Sequence, residues 1–389
     1  MRLNSAAACA LAALLLASLF SIALLSRHQF NAGALVVAGD QYTDPARAPR
    51  GLPVEQHSAG YDGQFYYRLA LNPFTDRWSE YGIRLDVPTY RQQRILMPLI
   101  AWILSLGNPS AIPWLFLIIN IGGVSLLAWC SSRLAAPWWS AAVWLYPGWL
   151  LTLSRDCAEI LEISLLMATA LALQRRRFAL ATILGTLAVL AKETALLGII
   201  GLTLMQLPAA FAPLIAPVVA HLALKMLLFN VWHAQPSFGT GHFAIPFSGL
   251  MHSFSLARPF PMMTNFELGA LAVMAVLAAP LTLHPLPASG EREFSNARTL
   301  APPQRGEGGA KRRVRGLWLA WLLYLPLLAV LDEGFWVEDW SFMRAATEFW
   351  VFAGLLGATS SRRPIRIAVV SVTIVTWCAL AAHVLIIRS

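Results

Sequence analysis

Long apolar runs separated by short polar breaks fill most of the chain, and one extended polar segment, Arg27 to Arg94, interrupts them near the start. An apolar run of about 18 residues or more with few charges reads as a membrane-crossing helix. The candidate spans are Ala6–Leu25, Ala111–Cys130, Ala136–Leu153, Cys157–Leu173, Phe178–Leu190, Thr194–Leu207, Ala209–Val231, Asn265–Leu283, Gly316–Leu331, Ala345–Ala358 and Ile367–Ile387. They predict an all-α polytopic membrane protein with about 11 transmembrane helices, several of them short. The first run exceeds the ~7–15-residue core of a signal peptide, and no small-residue cleavage site precedes Arg27. It therefore reads as an uncleaved helix with its N-terminus inside.

The run Ile95–Leu106 is a separate case. At ~1.5 Å per residue it covers ~18 Å, short of the ~30 Å hydrocarbon core, and it contains Pro98. Charge decides its placement, because basic residues collect in cytoplasmic loops. If it does not cross, Arg133, Arg175-Arg176-Arg177, the stretch His284–Arg315, and Arg362, Arg363 and Arg366 all fall inside. The loop Asp332–Arg344, with Asp332, Glu333, Glu338 and Asp339 against Arg344 alone, then falls outside. A full crossing would invert everything after it. The expected layout is thus a large first outer loop, 27–94, containing juxtamembrane helices, followed by a re-entrant or juxtamembrane helix over 95–106. Residues 284–315, rich in Gly, Pro, Ser and Arg, read as a disordered basic cytoplasmic loop between a region 1–283 and C-terminal transmembrane helices, 316–389.

Composition narrows the class further. Apolar types make up 57% and charged types only 13%, about half the charge of a soluble domain. This excludes a soluble enzyme, a disordered chain and a small disulfide scaffold. The net charge of +9 belongs to the inside loops and implies no nucleic-acid partner. Cys9, Cys130, Cys157 and Cys378 lie in or beside apolar runs without CxxC spacing. They read as small buried apolar residues rather than a disulfide framework or a zinc site.

Four places carry candidate chemistry. In Gly60-Tyr61-Asp62-Gly63-Gln64-Phe65-Tyr66-Tyr67 an acid stands between an aromatic residue and a glycine that lets the backbone turn. Asp62 is either a helix N-cap or a catalytic carboxylate, and one residue can be both; Tyr66 and Phe65 can wall a sugar or prenyl chain. In Thr89–Arg94, Arg91 and Arg94 are three apart and share a helical face. Their planar forks suit a phosphate, and snorkelling to lipid headgroups is the alternative. In Ser154–Glu159, Asp156 and Glu159 are also three apart; the alternative is a local Arg155–Asp156 pair, and Glu162 lies a turn deeper. Ala191-Lys192-Glu193-Thr194 places two charges inside an otherwise apolar stretch, either in one kinked helix or between two short ones.

Other features are weaker. Trp232–Thr264 carries His233, Gly239-Thr240-Gly241, His242 and His252, without metal-ligand spacing. Asp332–Arg344 mixes acids with Trp and Phe, which suits either sugar stacking or an interfacial aromatic belt. No P-loop, GxSxG or Rossmann fingerprint is present.

A first membrane helix followed by an outer loop with an aromatic-Asp-Gly-x-x-Tyr element resembles the GT-C superfamily, multispan glycosyltransferases that use polyprenyl-phosphate-linked sugars. Tyr61-Asp62-Gly63-Gln64-Phe65-Tyr66 is similar to the Trp-Asp-(Gly/Ala)-x-x-Tyr/Phe element of mannosyltransferases that build glycosylphosphatidylinositol anchors. Tyr61–Ala70, Arg91–Leu99, Tyr146-Pro147-Gly148, Arg155-Asp156 and Lys192-Glu193-Thr194 together resemble a bacterial family named for cell-surface glycopolymer formation. The likeness covers roughly residues 1–205. Where such relatives have Arg-Glu-Thr, this chain has Lys192-Glu193-Thr194.

The resemblance implies a GT-C-like catalytic region over 1–283 and an inverting transfer with Asp62 as general base. It implies donor-phosphate binding by Arg91, Arg94, Arg155 and Lys192, and substrate contacts from Tyr61, Gln64, Tyr66, Asp156, Glu159 and Glu193. No metal or other cofactor is expected. The partners would be a polyprenyl-phosphate sugar, a glycan or lipid acceptor, and membrane lipids. The place would be a bacterial inner membrane, with the site facing the periplasm. Two other classes compete: a transporter or flippase of lipid-linked glycans, and a non-catalytic subunit of a polysaccharide assembly complex.

Overall fold

The computed structural model describes residues 5–233, 243–279, 307–337 and 339–386. The N-terminal half contains α1 (Ser5–Arg27), α2 (Asp62–Leu71), α3 (Pro88–Gln92), α4 (Leu96–Ser105), α5 (Ile112–Leu134), α6 (Ala141–Trp144), α7 (Gly148–Leu153), α8 (Glu159–Gln174), α9 (Phe178–Ala191), α10 (Ala195–Leu204) and α11 (Phe211–Trp232). After it come α12 (Ser248–Ser253), α13 (Pro261–Ala278), α14 (Glu307–Ala329), α15 (Glu333–Val337), α16 (Asp339–Ala345), α17 (Thr347–Ala358) and α18 (Arg363–Ile386). Among the described residues, five helices are long and apolar enough to cross a membrane: α1, α5 with its preceding turn, α11, α13 and α18. These fit a membrane-embedded protein.

Two expected elements come out differently. The run Ala136–Leu153 is not one helix but α6 and α7, because Pro147 has no N–H to continue the first and instead opens the second. Of the expected loop 284–315, residues 307–315 are the first turns of α14. The rest of that loop lies outside the described residues.

The chain crosses back beside itself at once. Ser125 Oγ of α5 donates to the Ala10 carbonyl of α1 at 3.0 Å, and Cys9 lies against the Pro137 carbonyl just beyond α5. The start of α1 therefore meets the end of α5, and the two helices are antiparallel. Residues 28–111 begin and end at the same end of this pair. The ten-residue α4 covers only ~15 Å and stays with that segment.

The segment 28–111 folds as a cap. A 3₁₀ turn, Ala32–Val36, leads into β1 (Ala38–Gly39), which pairs in parallel with β2 (Val54–Glu55). β3 (Ser79–Glu80) and β4 (Ile83–Arg84) pair antiparallel. Val36, Ile83, Met97 and Phe116 share one buried cluster with Tyr66 and Tyr67. A fully buried Arg68 bonds Glu80 and donates to Thr75 Oγ1 at 3.0 Å, tying α2 to β3.

In the bundle, α8 and α17 are buried on almost every side. α8 is packed by α5, α9, α10 and α17. α10 lies close against α14 because Gly201 has no Cβ: one added there would stand 2.2 Å from the Ala320 nitrogen. Small residues allow such backbone approach between apolar helices. Cys378, expected to be buried, faces outward from α18.

Candidate functional site

Asp62 opens α2, but not as its cap. The N-cap is Tyr61, whose backbone is extended (φ −140°, ψ 178°) and whose side chain makes no cap hydrogen bond. Asp62 is thus the first helical residue, where an acid is favoured by the dipole, and its carboxylate is free to reach outward. Gly63 acts differently from expectation as well. It has no positive φ; a Cβ there would lie 2.5 Å from the Arg155 carbonyl oxygen and 2.7 Å from that of Val36. Its role is close approach, which sets Asp62 against the α7–α8 turn.

Two guanidiniums grip Asp62. Arg91 Nη1 donates to Oδ1 at 2.7 Å and Arg344 Nη2 donates to Oδ2 at 2.9 Å. Burial alone would raise the Asp62 carboxyl, but Arg91, Arg344 and Arg94 outweigh it and hold the group well below the usual carboxylate range. The side chain remains 23% exposed. Tyr61 lies alongside, with Arg155 over its ring at 4.6 Å and Arg344 at 4.9 Å. Burial pushes its phenol up to about 12, so it stays protonated at neutral pH.

Arg91 and Arg94 do not present one open face. α3 ends at Gln92, and the two guanidiniums, although both lie over the Tyr90 ring at 5.3 and 4.5 Å, bond different acids. Arg91 also forks onto Asp86, at 2.8 and 2.6 Å, and stacks on Phe65. Arg94 forks onto Glu193 at 2.9 and 2.6 Å and stacks on Tyr90. Gln64 is fully buried and structural: its Oε1 accepts from Gly39 N and Thr43 Oγ1, and its Nε2 donates to the Ala59 carbonyl. Tyr66 is also buried, in the cap core. Neither offers a surface to a substrate in this arrangement.

The α7–α8 turn separates the acids that their spacing would pair. Asp156 has a left-handed φ of 46° and is fully buried, with no hydrogen-bond partner on either oxygen among the described residues. Burial pushes its carboxyl well above the usual range. Glu159, the first residue of α8, points instead to Arg344, accepting from Nη2 at 2.6 Å. The local Arg155–Asp156 pair does not form, since Arg155 lies over Tyr61.

Lys192 and Glu193 occupy a break between two short helices. Lys192 is extended (φ −160°, ψ 131°) and ends α9. Tyr324 of α14 holds the break, donating to the Thr194 carbonyl and accepting from Gly198 N, both at 3.0 Å. Lys192 Nζ is 4.0 Å from Glu159 and 3.5 Å from Glu348 of α17, and Thr194 Oγ1 bonds Glu348. Glu162 is fully buried, with neither oxygen hydrogen-bonded among the described residues.

These contacts form one polar chain: Asp86, Arg91, Asp62, Arg344, Glu159, Lys192, Glu348, Thr194. It joins four of the expected site residues, Asp62, Arg91, Glu159 and Lys192, to Arg344 and Glu348 from beyond residue 283. Arg344 and Glu348 were not among the expected site residues. Glu348 had a readable signal, a carboxylate inside the apolar run Ala345–Ala358, because ionisable groups at membrane depth tend to be functional. His233 and His252 lie outside the chain of contacts. His252 stands 3.8 Å from Glu333, and residues 239–242 are beyond the described parts. Among the described residues, no group of three or more His, Cys, Asp or Glu side chains is placed to hold a metal ion.

Chemically, the site offers a partly exposed, ionised carboxylate whose two partners are arginines, Arg91 near the surface and Arg344 buried behind it. Guanidinium forks exchange one oxyanion for another readily, since carboxylate and phosphate present similar geometry. In comparisons with known proteins, no family model, curated protein or solved structure matches this chain.

Proposed function

We propose that this protein is an integral membrane glycosyltransferase of GT-C type. It moves a sugar from a polyprenyl-phosphate donor to a cell-envelope glycan or lipid acceptor, at the periplasmic face of a bacterial inner membrane. The observation that carries the reading is Asp62 shared between Arg91 and Arg344 at a partly open position beside the apolar bundle. About eleven crossings accompany it, short apolar helices such as α9 and α10 completing spans beside the five long ones.

The chemistry follows from exchange of partners. An incoming lipid phosphate competes with Asp62 for the Arg91 and Arg344 forks. Once released from them, the carboxylate regains ordinary basicity and accepts the acceptor hydroxyl's proton. The acceptor oxygen bonds to the anomeric carbon with inversion, and the bond from that carbon to the phosphate oxygen breaks. The polyprenyl phosphate leaves with the electron pair, its charge met by Arg91, Arg344 and Arg155. Lys192, Arg94 and Glu193 then serve mainly to hold this cationic set in place, and Tyr61 supplies a neutral hydroxyl.

The test is sugar transfer by purified protein in nanodiscs, from a panel of radiolabelled polyprenyl-phosphate sugars to membrane-extract acceptors. Wild type should transfer from at least one donor, and a folded Asp62→Asn should not. Transfer that survives Asp62→Asn would move the base elsewhere. Failure with every donor, once acceptor supply is established by adding extract from a cell that makes the glycan, would favour the transporter or subunit readings.

A further inference from the structure

A second candidate site lies in the cap, lined by residues other than those around Asp62, and it does not depend on the glycosyltransferase reading. A cavity of about 120 Å³ opens where the end of α1 meets the start of α5. Its walls include Phe30, Asn31, Arg50, Tyr67, Ser110 and Trp114. The antiparallel pairing of α1 and α5 puts this cavity at the level where apolar helices give way to the polar cap.

Its polar side chains include one cation and no anion, and Asn31 Oδ1 is already occupied by Gly33 N at 2.9 Å. Arg50 brings a guanidinium, Asn31 an amide and Ser110 a hydroxyl, and no Asp or Glu lines the cavity. Arg50 forms no ion pair among the described residues, whereas Arg47, three positions earlier, stands 3.5 Å from Asp44. A guanidinium without an ion-pair partner, exposed at the rim of a hollow that has no carboxylate, favours an anion with a planar pair of oxygens.

The surroundings select the kind of anion. Phe30 and Trp114 flank the opening, 56% and 42% exposed, as aromatic residues do at a membrane interface. Below them runs an exposed apolar strip of Leu15, Leu19 and Ile22 on α1 and Ile118 on α5. A charged head above and an apolar track below match a phospholipid in both parts. We propose that this cavity binds the phosphate of an anionic phospholipid, with the acyl chains lying along α1 and α5. The 3₁₀ turn Ala32–Val36 links it to the Asp62 region: Ala32 and Gly33 line the cavity, and the Val36 carbonyl abuts Gly63. The bound lipid would thus stand in the leaflet nearest Asp62.

Native mass spectrometry of the delipidated full chain tests this, with phosphatidylglycerol, phosphatidylcholine and inorganic phosphate as probes. Wild type is expected to retain one phosphatidylglycerol in preference to phosphatidylcholine. Arg50→Gln should weaken that retention roughly tenfold, the loss of one charge-assisted contact, and Arg47→Gln should leave it unchanged. Ser110→Glu, at an exposed position, should weaken it independently by repelling phosphate; elution of each variant as wild type on size exclusion verifies folding. Equal retention by wild type and both cavity variants would mean annular lipid only and overturn the proposal. So would equal retention of phosphatidylcholine, or binding of inorganic phosphate without any preference for the lipid.

Discussion

Asp62 and Arg344 stand 282 positions apart in the chain, and Arg344 Nη2 donates both to Asp62 Oδ2 at 2.9 Å and to Glu159 Oε1 at 2.6 Å. One side chain from the far end of the sequence thus bridges the cap and the central helix α8. Its removal should be felt in both places. Arg344→Gln is expected to reduce sugar transfer by about 10²-fold or more, the usual cost of losing a preorganised charge partner. It should also lower stability by roughly 3 kcal/mol, because Glu159 keeps its burial and loses its best partner. Transfer assays and thermal unfolding in the same detergent check both. Unchanged unfolding would show that Glu159 finds another cation, with Lys192 the nearest.

The pH dependence of the Asp62 contact has a definite sign. The arginines overcome burial and hold the folded carboxyl below its ordinary value. The group therefore contributes stability above the unfolded carboxylate range of ~4, and loses it as pH falls through the lower folded value. The stability difference between wild type and Asp62→Asn should be flat from pH 8 to about 5 and shrink below that. A difference that instead grew on acidification would contradict the pairing.

Asp156 should behave in the opposite way. Burial raises its folded value, so its contribution is complete below the ordinary carboxylate range and is lost as pH rises through the folded value. At neutral pH the residue costs stability. Asp156→Asn removes the charge, and Asn tolerates the left-handed backbone at φ 46°. The substitution should stabilise by about 1–3 kcal/mol at pH 7, with the gain fading toward pH 4. Thermal melts at the two pH values decide it.

Gly63→Ala probes the seat of the site. The added methyl would meet the carbonyl oxygens of Arg155 and Val36, at 2.5 and 2.7 Å. Both are backbone atoms and cannot turn aside. A loss of about 1–3 kcal/mol is expected, together with a fall in transfer larger than any change in donor affinity, since Asp62 shifts with its helix. Wild-type kinetics in Gly63→Ala would remove the argument for close approach.

The Arg68–Glu80 pair is a structural clip with no part in the polar chain. Arg68 is wholly buried, and Glu80 also accepts from Thr75 and Asn72. Glu80→Gln leaves a buried guanidinium with a neutral partner and should destabilise the cap by roughly 3 kcal/mol. Limited proteolysis within residues 28–94 reports that loss directly, and resistance equal to wild type would argue against the clip.

Much of this was legible along the chain. Apolar runs with few charges identify membrane-embedded helices because lipid leaves the backbone no other partner than itself, and α1, α5, α11, α13 and α18 follow from that rule. The Leu96–Ser105 helix is too short to cross, and the segment that holds it begins and ends at one end of the α1–α5 pair. Asp62, Arg91, Arg94, Glu159, Lys192 and Glu193 stand out as charges beside apolar sequence, and the folded chain does gather them. What remained for tertiary structure was the pairing. Residues three apart need not share partners: Arg91 and Arg94 both lie over Tyr90 yet bond different acids, and Asp156 parts from Glu159 at a left-handed turn. Gln64 looks like a ligand in sequence and is a cap fastener in three dimensions. Arg344 and Glu348 reach the site only because α16 and α17 pack against elements laid down far earlier. Local pattern encodes which segments are buried; a contact between residues 62 and 344 depends on how the helices pack, and no local period carries that.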